Sequence, residues 1–225
     1  MAKVVAGFFS FTEITAAAEH RSYNEWHMLD HMPEQYPLPG VVYGQRWVST
    51  PACTAARAVS DPPLAAVHYV TLYLMADPLA VTLREFYARG RELHRLDRFH
   101  AHRISHLSGP FAIDEQAAAP RVLVSAEAVP YRPSRGVHVV VGDAPAVGEL
   151  ATVPGVAGAW SFRPEPRAGR QRWNPGDVPI TVCWCDADPL GVAAALGAPH
   201  PGARFAGPFE TIVPWQWDWF DDTTG

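Results

Sequence analysis

The chain has 225 residues, of which 48% are hydrophobic and 18% are charged, and its formal net charge at pH 7 is −5. This length allows one large or two small domains with a buried core, and the negative charge argues against nucleic acid as a partner. No apolar run is long enough to cross a bilayer. The cysteines, Cys53, Cys183 and Cys185, form no disulfide framework, which favours a cytoplasmic protein.

The first half predicts the element order β-α-β-β-α-β. The elements are a strand at Val4–Phe11, a helix at Ala17–His31, strands at Val41–Ser49 and Val67–Met75, a helix at Leu79–His100 and a strand at Ile104–Ile113. The apolar start of the chain is interrupted by polar residues, which favours a strand over a signal peptide. The strand Val67–Met75 is the most strongly indicated, because it is β-branched and aromatic throughout. Thr50–Leu64 predicts an irregular connection.

The second half predicts a shortened version of the same order. Its predicted strands are Arg121–Ala128, Val156–Phe162, Ile180–Cys185 and Phe205–Val213, and its helices are Asp143–Leu150 and Leu190–Leu196. Gly136–Gly142 is open to two interpretations, an extra strand or the start of the first helical region. Arg163–Pro179 is rich in Arg, Pro and Gly and predicts a loop.

Three short motifs recur in the same order in both halves. ADPLAV at 76–81 matches ADPLGV at 187–192, the PGV of 39–41 matches that of 154–156, and the GPF of 109–111 matches that of 207–209. Three matches in order predict a duplicated unit, residues 1–116 and 117–225, with a linker near 114–120. The β-α-β-β-α-β order is ferredoxin-like. We therefore expect an α+β fold of two ferredoxin-like repeats that cover each other's apolar sheet faces as a pseudo-dimeric α+β barrel.

The densest chemistry lies in YNEWHMLDHMPEQYPLPGVVYGQRW, from Tyr23 to Trp47. This segment resembles the first-helix signature of the EthD-like branch of the dimeric α+β barrel superfamily. The signature positions are filled by Trp26, Asp30, His31, Pro33, Glu34, Pro39, Gly40, Val41, Arg46 and Trp47. The second half has no counterpart of this WHxxxHMPE motif, so it looks like a degenerate copy. The superfamily includes isomerases, lyases, cyclases, cofactor-free monooxygenases and, more distantly, haem enzymes, so the resemblance implies a fold better than a reaction.

Two histidines four residues apart are the main catalytic candidates. On a helix, His27, His31 and Glu34 would share one face, and imidazole exchanges protons near neutral pH. We expect His31 to act as base or acid with His27 as its partner, Glu34 to fix a tautomer and Tyr23 to donate to a substrate oxygen. The alternative is a set of histidines that only cap the helix or fill the core.

The same spacing also suits a divalent metal at His27 and His31, with a carboxylate as third ligand. Zinc proteases carry Glu directly after the first histidine, and that position here is Met28. We therefore predict no metal and no cofactor, with a metal or haem as the alternative.

The strand that begins near His68 alternates two faces. His68 shares one face with Val70, Leu72 and Leu74, whereas Tyr69 shares the other with Thr71, Tyr73 and Met75. We expect His68 to polarise a substrate oxygen in the same cavity as the helix histidines, or else to be a strand-end histidine near water. Tyr69 is expected to contact the substrate, together with Trp26 and Trp47.

A second histidine cluster contains His94, His100, His102 and His106, with Arg91, Arg95, Arg98 and Arg103 nearby. Its interpretations are a solvated basic helix, a source of a haem ligand or an anion site for a carboxylated substrate.

Trp215 and Trp217 belong to the C-terminal stretch VPWQWDWFDD, in which Trp alternates with polar residues. This period predicts one face of a strand, either a packing stripe or an aromatic wall for a flat ligand.

These patterns favour an enzyme of small-molecule metabolism, of isomerase, cyclase or lyase type. Its substrate would be aromatic, polyketide-like or a lactone, and its chemistry would be histidine acid–base catalysis without a cofactor. The rivals are a haem or metal enzyme and a non-catalytic ligand-binding barrel. The expected partner is a small-molecule substrate. The fused pair is either self-sufficient or associates with a second copy of the chain in a homodimer.

Overall fold

The structure is a computed structural model that describes residues 3–165 and 178–221. In the first half the strands are β1 (Val4–Ile14), β2 (Val41–Val48), β3 (Val59–Ser60), β4 (Tyr69–Ala76) and β5 (Arg103–Ala118), and the helices are α1 (His20–Trp26), α2 (Pro51–Ala55) and α3 (Leu79–Arg95). In the second half the strands are β6 (Gly136–Gly142), β7 (Val156–Pro164), β8 (Ile180–Cys185) and β9 (Ala203–Thr211), and the helices are α4 (Val147–Leu150) and α5 (Pro189–Leu196). Short 3₁₀ turns at Ala17–Glu19, Pro33–Gln35, Leu64–Ala66 and Ala126–Tyr131 connect them.

The strands form one closed antiparallel sheet in which the same order occurs twice. The first half contributes β2-β4-β1-β5 and the second half β7-β8-β6-β9. These are two ferredoxin-like units, joined where β5 pairs with β7 and where Trp47 and Val48 of β2 pair with β9. The predicted α+β fold of two ferredoxin-like repeats in one chain is confirmed.

Period-two alternation decides which side chains fill the barrel. Phe9 and Phe11 of β1, Leu72 of β4 and Trp160 of β7 point into an apolar core that both halves share. The residues between them face outward, where the helices cover the sheet. The predicted alternation of β4 is therefore present, with Val70, Leu72 and Leu74 inside and Tyr69, Tyr73 and Met75 outside.

The repeated ADP motif begins a helix in each half. Asp77 Oδ1 accepts a hydrogen bond from the backbone N–H of Leu79 at 3.2 Å, and Asp188 Oδ1 accepts one from Leu190 N–H at the same distance. An acidic side chain at this position satisfies backbone donors that the helix leaves free.

Each PG turn packs against the helix of its own half. A Cβ atom on Gly40 would lie 1.8 Å from Thr82 Oγ1 of α3, and one on Gly155 would lie 2.8 Å from Val192 of α5. The ADP and PG motifs therefore recur because each half needs the same two local contacts, an Asp at the start of a helix and a glycine packed against that helix.

The first long helix is not regular. The 3₁₀ turn leads into α1, and a π-helical turn at His27–His31 follows, in which Met32 N–H donates to the carbonyl of His27 at 2.8 Å. Such a turn inserts one residue into the helix, and π turns occur often at functional sites.

Several predicted elements are wrong in detail. Arg121–Ala128 is not a strand, and Gly136–Gly142 is the first strand of the second unit. The predicted linker near 114–120 is largely occupied by β5, whose C-terminal part pairs with β7. α3 ends at Arg95, five residues before the predicted end. Of the predicted loop at 163–179, Arg163 and Pro164 belong to β7, and residues 166–177 lie outside the described residues.

The C-terminal tryptophans do not lie on a strand, because regular structure ends at Thr211 of β9. Trp215 is 69% exposed and Trp217 is buried, so the predicted single face of indoles is absent. Trp217 packs with Ile14, Tyr23 and Val48 outside the barrel.

Within the described residues, no helix combines the length and the apolar character needed to span a lipid bilayer.

Candidate functional site

A cavity of about 750 Å³ lies between the helices and the outer face of the first half's sheet. Its size falls within the usual range for small-molecule sites. Its lining residues come from four places: Phe8, Ser10 and Thr12 of β1; Tyr23, Trp26, His27, His31 and Gln35 of the first helical region; Thr71 and Tyr73 of β4; and Phe86, Tyr87, Gly90, Arg91, His94, Phe99, His100, Arg103, Ile104, Ser105 and Ser108 of α3, β5 and the loop between them.

His27 and His31 meet in this cavity. Their ring centroids are 5.1 Å apart with the planes at 72°, and the indole of Trp26 stacks on His31 at 4.7 Å. The Nδ1 atoms of both rings are buried and have no hydrogen-bond partner among the described residues. The π turn keeps positions i and i+4 adjacent, so the pair that the spacing predicted is brought together.

Both imidazoles are neutral at physiological pH. Burial lowers the pKa of His27 well below its usual value, and electrostatic repulsion from Arg46, from His31 when that ring is protonated, and from Arg103 lowers it further. Burial is also the largest cause for His31, whose pKa falls to about 3 with additional lowering by Arg103 and Arg46. An anion in the cavity would offset those cationic charges and make each ring a stronger base.

Arg46 is an unusual buried cation that the sequence indicated only as a motif position. It is 3% exposed, and none of its three guanidinium nitrogens has a hydrogen-bond partner among the described residues. Its guanidinium lies over the ring of Tyr23 at 5.0 Å and over that of Tyr69 at 5.5 Å. Burying a charge without a counterion destabilises the folded state. The contacts of Arg46 with the two tyrosine rings do not by themselves account for a charged residue at this position.

Other unpartnered polar atoms line the cavity near Arg46. They are Gln35 Oε1, Thr71 Oγ1, Tyr73 OH and Tyr87 OH, all buried. Burial raises the pKa of Tyr73, which keeps its phenol protonated and able to donate. Buried polar groups in proteins nearly always have partners. A polar ligand or bound water in the cavity would supply them here.

Tyr23 and Trp26 line the cavity as predicted, whereas Glu34 does not. Glu34 follows the π turn on a 3₁₀ turn and pairs with Arg89 and Arg98 on the outside. It therefore does not share the histidine face, and it is not placed to fix a tautomer.

His68 also lies away from the cavity lining. Its Nδ1 accepts a hydrogen bond from the backbone N–H of Ile14 at 3.1 Å, and its ring packs against His20 and Phe220. It is a strand-end histidine that satisfies the backbone, which was the alternative interpretation.

Four predicted substrate contacts lie outside the cavity lining. Trp47 points into the barrel core because it faces the opposite side of β2 from Arg46. The hydroxyl of Tyr69 bonds to His20 Nδ1 at 2.9 Å and accepts from Asn24 Nδ2 at 3.0 Å, beneath the helix. Trp215 and Trp217 lie in the C-terminal segment that follows β9, and neither of them lines the cavity.

Part of the second histidine cluster does belong to the cavity. His94 and His100 line it, and His100 Nε2 lies 3.0 Å from Ser22 Oγ. Of the predicted basic group, Arg91 and Arg103 line it as well, whereas Arg95 and Arg98 pair with carboxylates outside. The interpretation as a solvated basic helix therefore holds for the residues on the outer surface and not for those that line the cavity.

The donor set does not fit a metal at His27 and His31. The expected third ligand, Glu34, is paired outside, and no group of three potential ligands occurs among the described residues. A ligating histidine normally donates its second ring N–H to a partner, and the buried Nδ1 atoms here have none.

A haem is no better accommodated. Both ring nitrogens of His100 are engaged, because Nδ1 accepts from the N–H of His102 and Nε2 lies 3.0 Å from Ser22 Oγ. His94 is exposed, and its ring contacts Phe99. Among the described residues, no cavity histidine combines a free ring nitrogen with a fixed second one, as an axial ligand requires.

Among the described residues of the second half, the positions equivalent to those of the site carry other side chains. The strand registers place His138 at the position of Phe8, Cys183 at that of Tyr73 and Ser161 at that of Arg46. His138 and Cys183 are buried beneath the short helices α4 and α5. The polar side chains of the site are thus not repeated at these positions of the second half.

No family model matches the sequence, and no curated protein matches it. Among solved structures, one described as "Putative Chlorite dismutase" is similar to the chain over 98% of this chain and 99% of its own, with 9% identity and a TM-score of 0.44. The doubled strand order by itself gives the fold, which is that of the dimeric α+β barrels with both halves in one chain.

Proposed function

We propose that the chain is a small-molecule enzyme of the EthD-like kind that moves a proton on an aromatic, polyketide-like or lactone substrate. The observation that carries the proposal is the pair of neutral imidazoles, His27 buried and His31 partly buried, facing a cavity with aromatic walls. Neutral imidazole can accept a proton from carbon, and the adjacent ring can pass it on.

The proposed step begins with a carbon acid beside a carbonyl group. His31 removes the C–H proton, and the electron pair of that bond moves onto the carbonyl oxygen as an enolate. The phenols of Tyr23 and Tyr73 donate to this oxygen, and the charges of Arg46 and Arg103 stabilise it. Return of the proton at another atom, through His27 or His31, completes an isomerisation. In a cyclisation the enolate carbon instead forms a bond to a second carbonyl carbon, the π electrons of that carbonyl move onto its oxygen, and this oxygen takes the proton from the imidazolium.

The electrostatics favour charge that develops during the reaction. In the free protein the two arginines oppose protonation of His31. Once the enolate forms, its negative charge offsets them, so the imidazolium and the enolate stabilise each other in a site with little water. The neutral carbonyl group of the bound substrate gains less from the arginines than the enolate oxygen of the transition state does, which is the requirement for catalysis.

The proposal can be tested without knowing the natural substrate. 2-Tetralone, a flat aromatic ketone with a slowly exchanging C–H group, is incubated with the protein in D₂O, and deuterium incorporation is followed by NMR. We expect the wild type to accelerate exchange and His31→Gln to lose at least ~100-fold of that acceleration, the usual worth of a general base. The matched control is His200→Gln, which changes an exposed histidine outside the cavity.

Equal exchange in the wild type and in His31→Gln, with both folded by circular dichroism, would overturn the proposal. Absence of acceleration by the wild type would favour the rival of a non-catalytic binding barrel. A small-molecule partner and a homodimer remain predictions.

A further inference from the structure

The charges around the cavity are of one sign. Arg91 and Arg103 line it and Arg46 lies just behind its wall, whereas no Asp or Glu occurs among the described lining residues. On the outer surface, by contrast, Arg89 and Arg98 are paired with Asp30 and Glu34. Among the residues that the structure describes, the arginines at the cavity thus lack the counterions that their neighbours outside have.

Arg103 is the arginine that the cavity lining presents directly. Its guanidinium lies 4.7 Å from the ring centroid of Phe99 and 5.6 Å from that of Trp26, and its Nη1 donates to Ser105 Oγ at 3.1 Å. Burial lowers the pKa of Arg103, partly offset by the nearby Tyr23 and Tyr73. No carboxylate pairs with it among the described residues, so most of its donors remain available.

A row of hydroxyl groups continues from Arg103 along the sheet. Ser10 Oγ lies 3.1 Å from Ser105 Oγ and 3.2 Å from Thr12 Oγ1, and all three line the cavity. Phe8, which also faces outward from β1, packs instead in an apolar cluster beneath α3. This polar edge can therefore bind oxygens on one side of a ligand.

The opposite wall is aromatic. Phe86 and Tyr87 of α3 join Trp26 and Phe99 on the helical side of the cavity. Gly90 of the same helix has no atom within 4 Å of the place where a Cβ would lie, so the helix leaves the space beside it open. A flat ring system fits between this wall and the hydroxyl row.

We infer that the substrate is a flat aromatic acid whose anionic group binds Arg103 beside the hydroxyls of Ser10 and Ser105. Planar guanidinium groups bind carboxylates through paired hydrogen bonds, and an anion here also receives the long-range attraction of Arg46. The inference rests on the proposed function, since it names the substrate class for the same cavity.

The test compares two compounds of the same shape, 2-naphthoate and neutral 2-naphthamide. Their binding is measured by calorimetry and by quenching of tryptophan fluorescence. We expect the wild type to bind naphthoate at least tenfold more tightly than naphthamide. Arg103→Gln should abolish this preference, whereas Arg103→Lys should retain part of it because the positive charge remains. The matched control, Arg121→Gln, removes an arginine that pairs with Asp186 in the second half and should leave the preference unchanged.

Equal affinity for the two compounds, failure of both to bind at millimolar concentration, or a preference that survives in folded Arg103→Gln would each overturn the inference. This measurement detects binding and not turnover. Failure of the inferred anion site can therefore be distinguished from failure of the proposed catalysis. Preferential binding of naphthoate by His31→Gln together with unchanged proton exchange in that variant would support the anion site and refute the proposed base.

Discussion

The rings of His27 and His31 contact each other edge to face, with 5.1 Å between their centroids. Residues in contact rarely contribute independently, because each fixes the position and the charge state of the other. The positive charge that either ring would acquire also opposes protonation of its neighbour. The two histidines should therefore behave as one unit in any reaction that they perform.

This coupling predicts non-additive kinetics. If both imidazoles serve one proton transfer, His27→Gln and His31→Gln should each reduce the acceleration of 2-tetralone exchange strongly. The double variant should then lose less than the product of the two single effects. Exchange rates of the four proteins measure this, and strictly multiplicative losses would show that the rings act separately.

The second prediction concerns stability against pH. The pKa of His31 is lowered to about 3, and those of His20 and His138 to about 4, in each case chiefly by burial. Unfolding returns each histidine to its ordinary pKa near 6.5. Between about pH 6.5 and 4 the unfolded chain binds more protons than the folded one, so stability falls as the pH falls and is constant above that window.

Each of these histidines contributes at most about 1.4 kcal/mol per pH unit to that slope. Thermal unfolding between pH 4 and 8 measures the effect. His138→Leu removes a buried imidazole with an unpartnered Nδ1, far from the cavity. Its midpoint temperature should therefore vary less with pH than that of the wild type. An equally steep slope in His138→Leu would contradict the prediction.

Two glycines should respond to alanine with opposite signs. A Cβ on Gly40 would lie 1.8 Å from Thr82 Oγ1, which itself donates to the carbonyl of Ala76. Overpacking of this kind costs about 1–3 kcal/mol, so Gly40→Ala should lower the unfolding free energy. Gly90 has open space around it on α3. Gly90→Ala should raise stability by about 0.5–1 kcal/mol because alanine favours helix.

Chemical denaturation of the two alanine variants checks both signs. The methyl group of Gly90→Ala also enters the cavity, so weaker binding of naphthalene compounds with higher stability is the expected combination. A stabilised Gly40→Ala would show that the turn can move away from α3.

The fourth prediction is that Arg46→Met separates stability from activity. This substitution removes a buried charge that has no counterion and keeps most of the volume, so the unfolding free energy should stay the same or rise. The loss of the contacts with Tyr23 and Tyr69 offsets about 0.5–2 kcal/mol of that gain. Because Arg46 opposes protonation of His31, the pKa of His31 should rise in the variant.

NMR titration of the ring signals and thermal unfolding test these two effects, and proton exchange with 2-tetralone should slow because the enolate loses a stabilising charge. Markedly lower stability with undiminished exchange would show that Arg46 serves the packing of the tyrosines and not the cavity. A matched control is Arg135→Met, which changes an arginine outside the cavity lining.

The amino-acid sequence by itself determined the doubled architecture. The ADP and PG motifs mark local events, a helix start and a tight turn against a helix, and such events depend on neighbours close in the chain. The alternation of β4 and the adjacency of His27 and His31 are likewise set by backbone periods of two and about four residues. The tryptophan alternation at the C-terminus failed because period two indicates a strand only where a neighbouring strand pairs with it.

Only the tertiary structure decided which polar residues share the cavity. Arg46 and Arg103 are 57 positions apart in the sequence, and β2 and β5 sit at opposite edges of the first half's order β2-β4-β1-β5. The curved sheet and the overlying helices bring both side chains to the same histidines. Glu34, only three residues from His31, is turned to the outside by the 3₁₀ turn. Burial and the absence of a counterion are properties of assembled elements, so no local pattern in the chain could have revealed them.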